Sequence, residues 1–349
     1  MQNIFGLSAD ELAQALMPLS LPSYRCRQIA RWIYRRGAVH FGAMSDLPGR
    51  LREELSTRYV IERGICQTEL HSADGLTTKF LLAFADGEAV ETVSMRHDYG
   101  HGVCVSSQAG CNMGCAFCAS TLHGLRRDLT PGEMLAQAVL LNTNFYGNGK
   151  SEERGIDSLV IMGSGEPLLN YDNVLKFIRL LHEPEILNLG YRHITISTSG
   201  IVPRIYDLSE ENLPLTLSVS LHAPGDELRS RLMPVNRQYP LAELMLAVKH
   251  YAERTGRRVT YEYILIDGVN DGREQAEALV QLLRGQMAGV NLIPVNPVPE
   301  RGFRRPSVGR VNYFAKYLTA HRITATVRKE MGADIAAACG QLRNKFING

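Results

Sequence analysis

Long apolar runs are missing from this chain. Nowhere do about 18 consecutive apolar residues occur, the length a membrane-spanning helix needs. The start, MQNIFGLSADELAQAL, lacks the basic cluster and apolar stretch of a secretory leader. Tryptophan occurs once, and cysteine is sparse and odd in number: seven in 349 residues, three of them within eight positions. An odd, clustered set with no leader speaks against a disulfide scaffold and for metal or redox chemistry in a reducing cytoplasm. No repeat appears at a period of about 20–50 residues, and no segment is of low complexity. Net charge is almost absent at +2, but it is unevenly spread: residues 300–349 hold ten Lys/Arg against three Asp/Glu, and the remainder 28 against 33. A basic end on a mildly acidic body points to a local polyanion contact or to a solvated basic surface.

Residues 1–62 read as a small helical unit. Ser8 and Glu11 have capping-box spacing. PSYRCRQIARWIYRRG places Ile29, Trp32 and Ile33 on one face, with Arg25, Arg27, Arg31, Arg35 and Arg36 around it and Gly37 as its stop. Trp32, at helical spacing from Ile29, reads as core rather than as a base-stacking platform. DLPGRLREELSTRY forms a third helix after Pro48. Residues 63–96 change to alternation with turns at Asp74-Gly75 and Asp86-Gly87, which predicts antiparallel hairpins.

From about residue 97 to 332 strand-like runs alternate with amphipathic helical stretches: GVCVSS, DSLVIMG, HITIST, LTLSVSLH, VTYEYILI, VNLIPVN and ITATVR. That order predicts right-handed crossovers and a parallel sheet, hence an α/β fold with a partial (β/α)6-type barrel. In such barrels chemistry sits at the C-terminal strand ends. The cysteine cluster, GSGEP, STSG, SLHAP and an Asn-Pro pair all fall there, so five loops point to one site.

The cluster, GCNMGCAFCAS, spaces Cys111, Cys115 and Cys118 as C-x3-C-x2-C, leaving a tetrahedral metal one ligand short. His123 would complete a Cys3His zinc site. Alternatively, three thiolates hold a 4Fe–4S cluster and leave one iron open for a small molecule. With Phe117 before the last cysteine, the stretch resembles the signature of radical SAM enzymes, whose open iron takes S-adenosylmethionine (SAM). GSGEP resembles their Gly-Glu motif; it is no dinucleotide fingerprint, because Leu168 stands where the third glycine belongs.

Cys26 and Cys66 read as buried structural cysteines. Cys104 precedes the cluster loop in CVSSQAGC, and Cys339 lies in the Gly- and Ala-rich end, where a thiolate would be the best nucleophile for a sulfonium methyl group. Together CVSSQ-GC-x3-C-x2-C, GSGEPLLN, ISTSGIVP, SLHAP, LMPVNR, GVNDG, NLIPVNPVPER and DIAAACGQL closely resemble the RlmN/Cfr family of radical SAM RNA adenine methyltransferases, over nearly the whole chain. The resemblance implies that one SAM methylates Cys339 and a second, on the cluster, yields a 5′-deoxyadenosyl radical that takes hydrogen from this methyl group. The carbon radical then adds to adenine. Cys104 resolves the protein–RNA adduct, leaving a Cys104–Cys339 disulfide to be reduced, and Glu91 matches the family's proton acceptor. Read without the resemblance, Glu91 is a surface carboxylate. By motif, Gly165, Glu166, Ser197, Ser220, Leu221, His222 and Asn296 contact SAM; Ser197 and His222 could equally be strand-end hydrogen-bonding groups.

The family divides by regiochemistry. RHITISTSGIVPRIY, YPLAELMLAVKHYAERTGRRVTYEY and VNPVPERGFRRP look more like RlmN members, which methylate adenine C2 in 23S rRNA and, in dual-specificity members, tRNA. The alternative is a Cfr-type C8 methyltransferase of the same rRNA adenine. Ala336 replaces an acidic residue frequent in relatives. The resemblance also implies a flavodoxin-like electron donor, a cytoplasmic monomer, and a C-terminal segment, 333–349, that carries Cys339. Two other readings are a non-catalytic RNA-binding protein with a structural Fe–S or zinc site, which needs neither Cys104 nor Cys339, and an activase of glycyl-radical proteins, which lacks the Cys339 region and the basic end.

Overall fold

The computed structural model describes residues 1–146, 155–329 and 331–335. Its first unit is closed by two short parallel strands, β1 (Gln2–Asn3) and β2 (Tyr59–Val60). They enclose helices α1 (Ala9–Ala15), α2 (Ser23–Tyr34) and α3 (Gly49–Arg58). Ser8 Oγ accepts from Glu11 N at 3.1 Å while Glu11 Oε2 accepts from Ser8 N at 2.9 Å, the reciprocal capping the spacing predicts. Arg36 N donates to Arg31 O at 3.1 Å, the six-to-one bond that stops a helix, and Gly37 takes a left-handed backbone that lets Ala38 N reach Trp32 O at 2.9 Å. Trp32 is core: it is buried, its Nε1 donates to Asp46 Oδ1 at 2.6 Å, and Arg36 stacks on its ring.

The hairpin strands are β3 (Ile65–His71), β4 (Thr77–Ala83) and β5 (Ala89–His97), with turns at the two Asp-Gly pairs. Cys26 is buried as expected, but Cys66 is exposed, because β3 is the edge of the sheet and shows most of its side chains to solvent. β6 (Gly100–Val105) pairs antiparallel with β5 and parallel with β9 (Ser158–Ile161). The intervening β7 (Gln108–Gly110) and β8 (Leu125–Asp128) form a ribbon, followed by α4 (Pro131–Tyr146). This ribbon is not legible in the sequence, since three or four residues are too short for a period.

The alternation then continues as α5 (Tyr171–His182), β10 (Ile194–Thr198), α6 (Val202–Glu210), β11 (Thr216–Ser220), α7 (Asp226–Leu232), α8 (Leu241–Thr255), β12 (Val259–Leu265), α9 (Arg273–Leu283), β13 (Ala288–Pro294), α10 (Val308–Ala320) and β14 (Thr324–Val327). One ten-stranded sheet results, ordered β14-β13-β12-β11-β10-β9-β6-β5-β4-β3. β6 and the six strands beyond it are parallel, as the seven strand-like runs predict. No helix among the described residues is long and apolar enough to cross a membrane.

Register divides the sheet into two faces. Leu159, Ile161, Ile194, Ile196, Leu217 and Val219 join helix residues in a single apolar core. Across the opposite face, Ser197 stands beside Ser218, Ser220 beside Glu262, and Glu262 beside Asn291. Side chains alternate between faces along a strand, so HITIST and LTLSVS carry their Ile, Leu and Val to the core and Thr195, Ser197, Thr216, Ser218 and Ser220 to this polar face. The helical unit docks on α5: Lys176 Nζ meets Glu11 Oε1 at 2.5 Å, Ala9 N donates to Glu183 Oε2 at 2.8 Å, and Arg35 Nε donates to Ile186 O at 3.0 Å.

Candidate active site

The cysteine loop is closed where the β7–β8 ribbon ends. Cys111 N donates to Gly124 O at 3.1 Å. Gly110 has φ 85° there, and a Cβ would stand 2.0 Å from Gly124 O, so only glycine lets the two strands meet. Cys111 and Cys115 are buried and Cys118 half-buried. Ala116 N fastens the loop to Leu232 O of α7 at 2.9 Å. From beyond β13, Arg301 reaches Cys118 O at 3.2 Å and Thr121 Oγ1 at 2.7 Å. Burial pushes the Cys111 thiol up to about 12 and raises Cys115 as well, and the neighbouring thiolates and Glu166 push in the same direction. Thiols held this way resist ionising unless positive charge neutralises them, which an iron–sulfur core supplies. The zinc arrangement is not assembled: His123 is exposed, and among the described residues no three Cys, His, Asp or Glu groups are placed to share one metal ion. A cubane does not ask for that, because each of its thiolates holds a different iron.

The GSGEP loop after β9 is bolted to the strand that leads into the cysteines. Ser164 N donates to Ser106 Oγ at 2.9 Å, Glu166 N donates to Gln108 Oε1 at 2.8 Å, and Asn170 Nδ2 donates to Ser107 O and Leu129 O. Gly165 has φ 110°, and a Cβ would lie 2.6 Å from that of Gln108. The Glu166 carboxylate is fully buried; Oε2 accepts from Ser199 N and Oγ, both at 2.7 Å, and Oε1 from Leu168 N at 3.0 Å. Burial raises its pKa against these hydrogen bonds. Glu166 therefore ties the loop after β9 to the loop after β10.

His222, just past β11, adopts φ 59°, and Asn270 holds it there through Nδ2 to His222 O at 2.8 Å. Ile264 N donates to His222 Nδ1 at 3.0 Å, so a neutral ring carries its proton on Nε2. Phe117 meets the ring edge-on at 4.8 Å. Burial, helped by the Arg229 charge, lowers the histidine from its ordinary 6.5 to about 3. Between these values the unfolded chain takes up a proton that the folded chain refuses, so stability falls as pH drops through this window, at up to about 1.4 kcal/mol per unit. His222→Gln should flatten that slope when urea midpoints are measured from pH 6.5 to 5; an unchanged slope would contradict the neutral buried imidazole.

Ser197 and Ser220 are half-buried on the polar face, Leu221 is buried beside them, and Asn296 is half-buried in the loop after β13. Cys104, Glu91 and Lys79 share that face: Val93 is the register partner of both Cys104 and Lys79, and Glu91 is two residues before it. Glu91 is no surface carboxylate. Its Oε2 lies 2.5 Å from Lys79 Nζ, with Lys79 fully buried and Glu91 5% exposed. Cys339 and Ala336 lie outside the described residues. Sequence reasoning missed Lys79, Ser199, Arg229 and Asn270. Ser199 and Asn270 lie within ISTSGIVP and GVNDG and Arg229 just before LMPVNR, whereas Lys79 lies in no motif; only packing distinguishes a group that holds a loop from one that holds a ligand.

The Radical SAM superfamily model matches residues 105–283, and the ribosomal RNA large subunit methyltransferase N-terminal domain matches residues 2–61. The chain is 53% identical, over 99% of its length and 92% of the relative's, to the probable dual-specificity RNA methyltransferase RlmN of Symbiobacterium thermophilum. The chain belongs to the RlmN family. Identity to the probable dual-specificity RlmN of Geobacillus kaustophilus is 48%, over 98% of this chain and 93% of that one. The crystal structure of a radical SAM methyltransferase from Sphaerobacter thermophilus superposes with a TM-score of 0.92 at 48% identity, over 98% of this chain and 99% of that one. The α/β radical SAM fold expected from the sequence is thus the fold of an RlmN-family chain, and strands β3 to β5 lie between its two matched regions.

Proposed function

We propose that this RlmN-family enzyme methylates C2 of an adenine in the peptidyl-transferase region of 23S rRNA and C2 of an adenine in tRNA, using two SAM per turnover. The observation that carries the reading is the polar sheet face, on which Cys104, in the strand that leads toward the cysteine loop, and Glu91, in the neighbouring strand, both lie. The dual-specificity RNA methyltransferases that resemble the chain over its full length support both RNA substrates. Cys111, Cys115 and Cys118 would hold a 4Fe–4S cluster, and Gly165, Glu166, Ser197, Ser220, Leu221, His222 and Asn296 would surround SAM at its open corner. When bound, the two supply the one-electron chemistry that removes hydrogen from a methyl group, which methylation of a weakly nucleophilic sp² carbon requires.

The chain's own residues do the rest. Cys339 carries the methyl group, Glu91 accepts the proton released from the adenine, and Cys104 frees the product by attacking the sulfur of Cys339. The division of labour along the chain is 1–62 for RNA contact, 63–96 as the hairpin extension, 97–332 as the radical SAM core and 333–349 as the methyl carrier. A flavodoxin-like protein supplies electrons, and the enzyme works in the cytoplasm.

Mass spectrometry of nucleosides from treated rRNA and tRNA tests this reading: 2-methyladenosine is expected from both, and 8-methyladenosine would transfer the enzyme to the C8 class. RNA binding should weaken steeply as salt rises, because Lys and Arg contacts to phosphate release counterions. Filter binding between 50 and 200 mM salt, about the range over which several phosphate contacts lose 10³-fold or more in affinity, would show it; a flat response would remove Lys and Arg contacts to phosphate as the basis of RNA binding.

A further inference from the structure

Two cationic side chains are fully buried among the described residues, Lys79 and Arg229. They differ in what neutralises them. Lys79 has the Glu91 carboxylate. Arg229 hydrogen-bonds to no carboxylate: its Nε donates to Leu221 O at 3.1 Å, Nη1 to Asn236 Oδ1 at 2.8 Å, and Nη2 to Ser199 O at 2.7 Å and Ser220 O at 3.0 Å. These four acceptors are all neutral oxygens. Asp226, earlier on the same helix, spends its Oδ1 on Asn236 Nδ2 and Leu241 N. A buried charge without a counter-ion is costly, and proteins keep one only where an opposite charge arrives. Burial lowers the Arg229 pKa, while Cys115 and then Asp226 act to keep it charged, and the helix bearing Arg229 is fastened to the cysteine loop through Ala116 N and Leu232 O.

We infer that Arg229 is the built-in counter-cation of the metal cluster and holds its reduction potential up. The inference rests on the three cysteines holding the 4Fe–4S cluster, as proposed above. Three thiolates outweigh the charge of the oxidised cubane, and the added electron makes the whole more negative, so a fixed positive charge in a low-dielectric site favours the reduced form. The neutral cage makes this possible. It fixes the guanidinium without cancelling its charge, and it does so using the backbone of the loop after β10 and the end of β11. Arg301 also reaches the cysteine loop, but it is only half-buried, so solvent screens it.

The test is an EPR-monitored redox titration of anaerobically reconstituted full-length protein without SAM, alongside iron and sulfide analysis. Arg229→Gln keeps hydrogen-bonding capacity and removes charge. It should shift the one-electron equilibrium toward the oxidised cluster by tenfold or more, equivalent to about 59 mV. Arg229→Lys should stay within threefold of wild type, and Arg301→Gln should shift less than Arg229→Gln. An Arg229→Gln cluster with full iron and a potential within threefold of wild type overturns the inference. Should Arg229→Gln lose its cluster, Arg229→Lys decides: retention at near wild-type potential supports the counter-cation, and loss there too makes Arg229 an architectural clamp and overturns it. Wild type that takes up no cluster would refute the reading of the cysteines themselves, an outcome separate from any difference among variants.

Discussion

A Cys104→Ala enzyme is expected to capture its RNA and fail to release it, accumulating a covalent protein–RNA adduct while methylated product falls by roughly 10⁴-fold or more, the scale of losing one member of a catalytic unit. In the proposed reaction the carbon joining Cys339 sulfur to adenine leaves only when a second thiolate attacks that sulfur. The Cys104–Cys339 S–S bond then forms, the S–CH2 bond breaks, and its electron pair stays on the carbon, which takes a proton and becomes the methyl group. The disulfide returns to two thiols at the expense of an external thiol reductant. Cys104 suits this step because it is buried on the sheet face that also carries Glu91. A denaturing gel of labelled RNA after an anaerobic single turnover should show a slow band that ribonuclease removes. Cys339→Ala should show neither band nor methylation. Methylated RNA released normally by Cys104→Ala, or made at all by Cys339→Ala, would sink the mechanism.

Lys79→Met should destabilise the fold by about 3–5 kcal/mol, the cost of stripping one partner from a buried ion pair. Lys79 is fully buried and Glu91 nearly so, at 2.5 Å, so solvent cannot take over the orphaned carboxylate. Replacing both, as Lys79→Met with Glu91→Leu, should recover much of that loss, since an apolar pair of similar volume removes the desolvation penalty. Urea denaturation of the two single variants and the double variant measures the coupling. A Lys79→Met cost below about 1 kcal/mol would mean that Glu91 is not held as a buried carboxylate, and its assignment as proton acceptor would lose its footing.

Much of the candidate site could be read from the chain because its features are local. The cysteine spacing lies within one loop. The Ser8–Glu11 cap, the Gly37 stop and the Asp-Gly turns are short-range devices whose partners are at most six residues apart. The parallel strands are legible too, since HITIST and LTLSVS alternate and sit between amphipathic helices. Glu166 marks where this reading thins. Its motif suggests a ligand contact, whereas its carboxylate is taken up by Ser199 and Leu168, and nothing in GSGEP announces a partner 33 residues away.

By itself, then, the sequence determined the order of strands and helices, the loop that carries three thiols and the family to which the chain belongs. Periodicity and motif spacing are properties of contiguous residues. Only the tertiary structure decided which charges meet. Lys79 finds Glu91 through the register of two antiparallel strands. Arg229 finds carbonyls from Ser199, Ser220 and Leu221, and it is buried with no carboxylate among its hydrogen-bond partners. Such pairings depend on which strand lies beside which and on how completely water is excluded, and both arise only when the sheet and its helices close around the core.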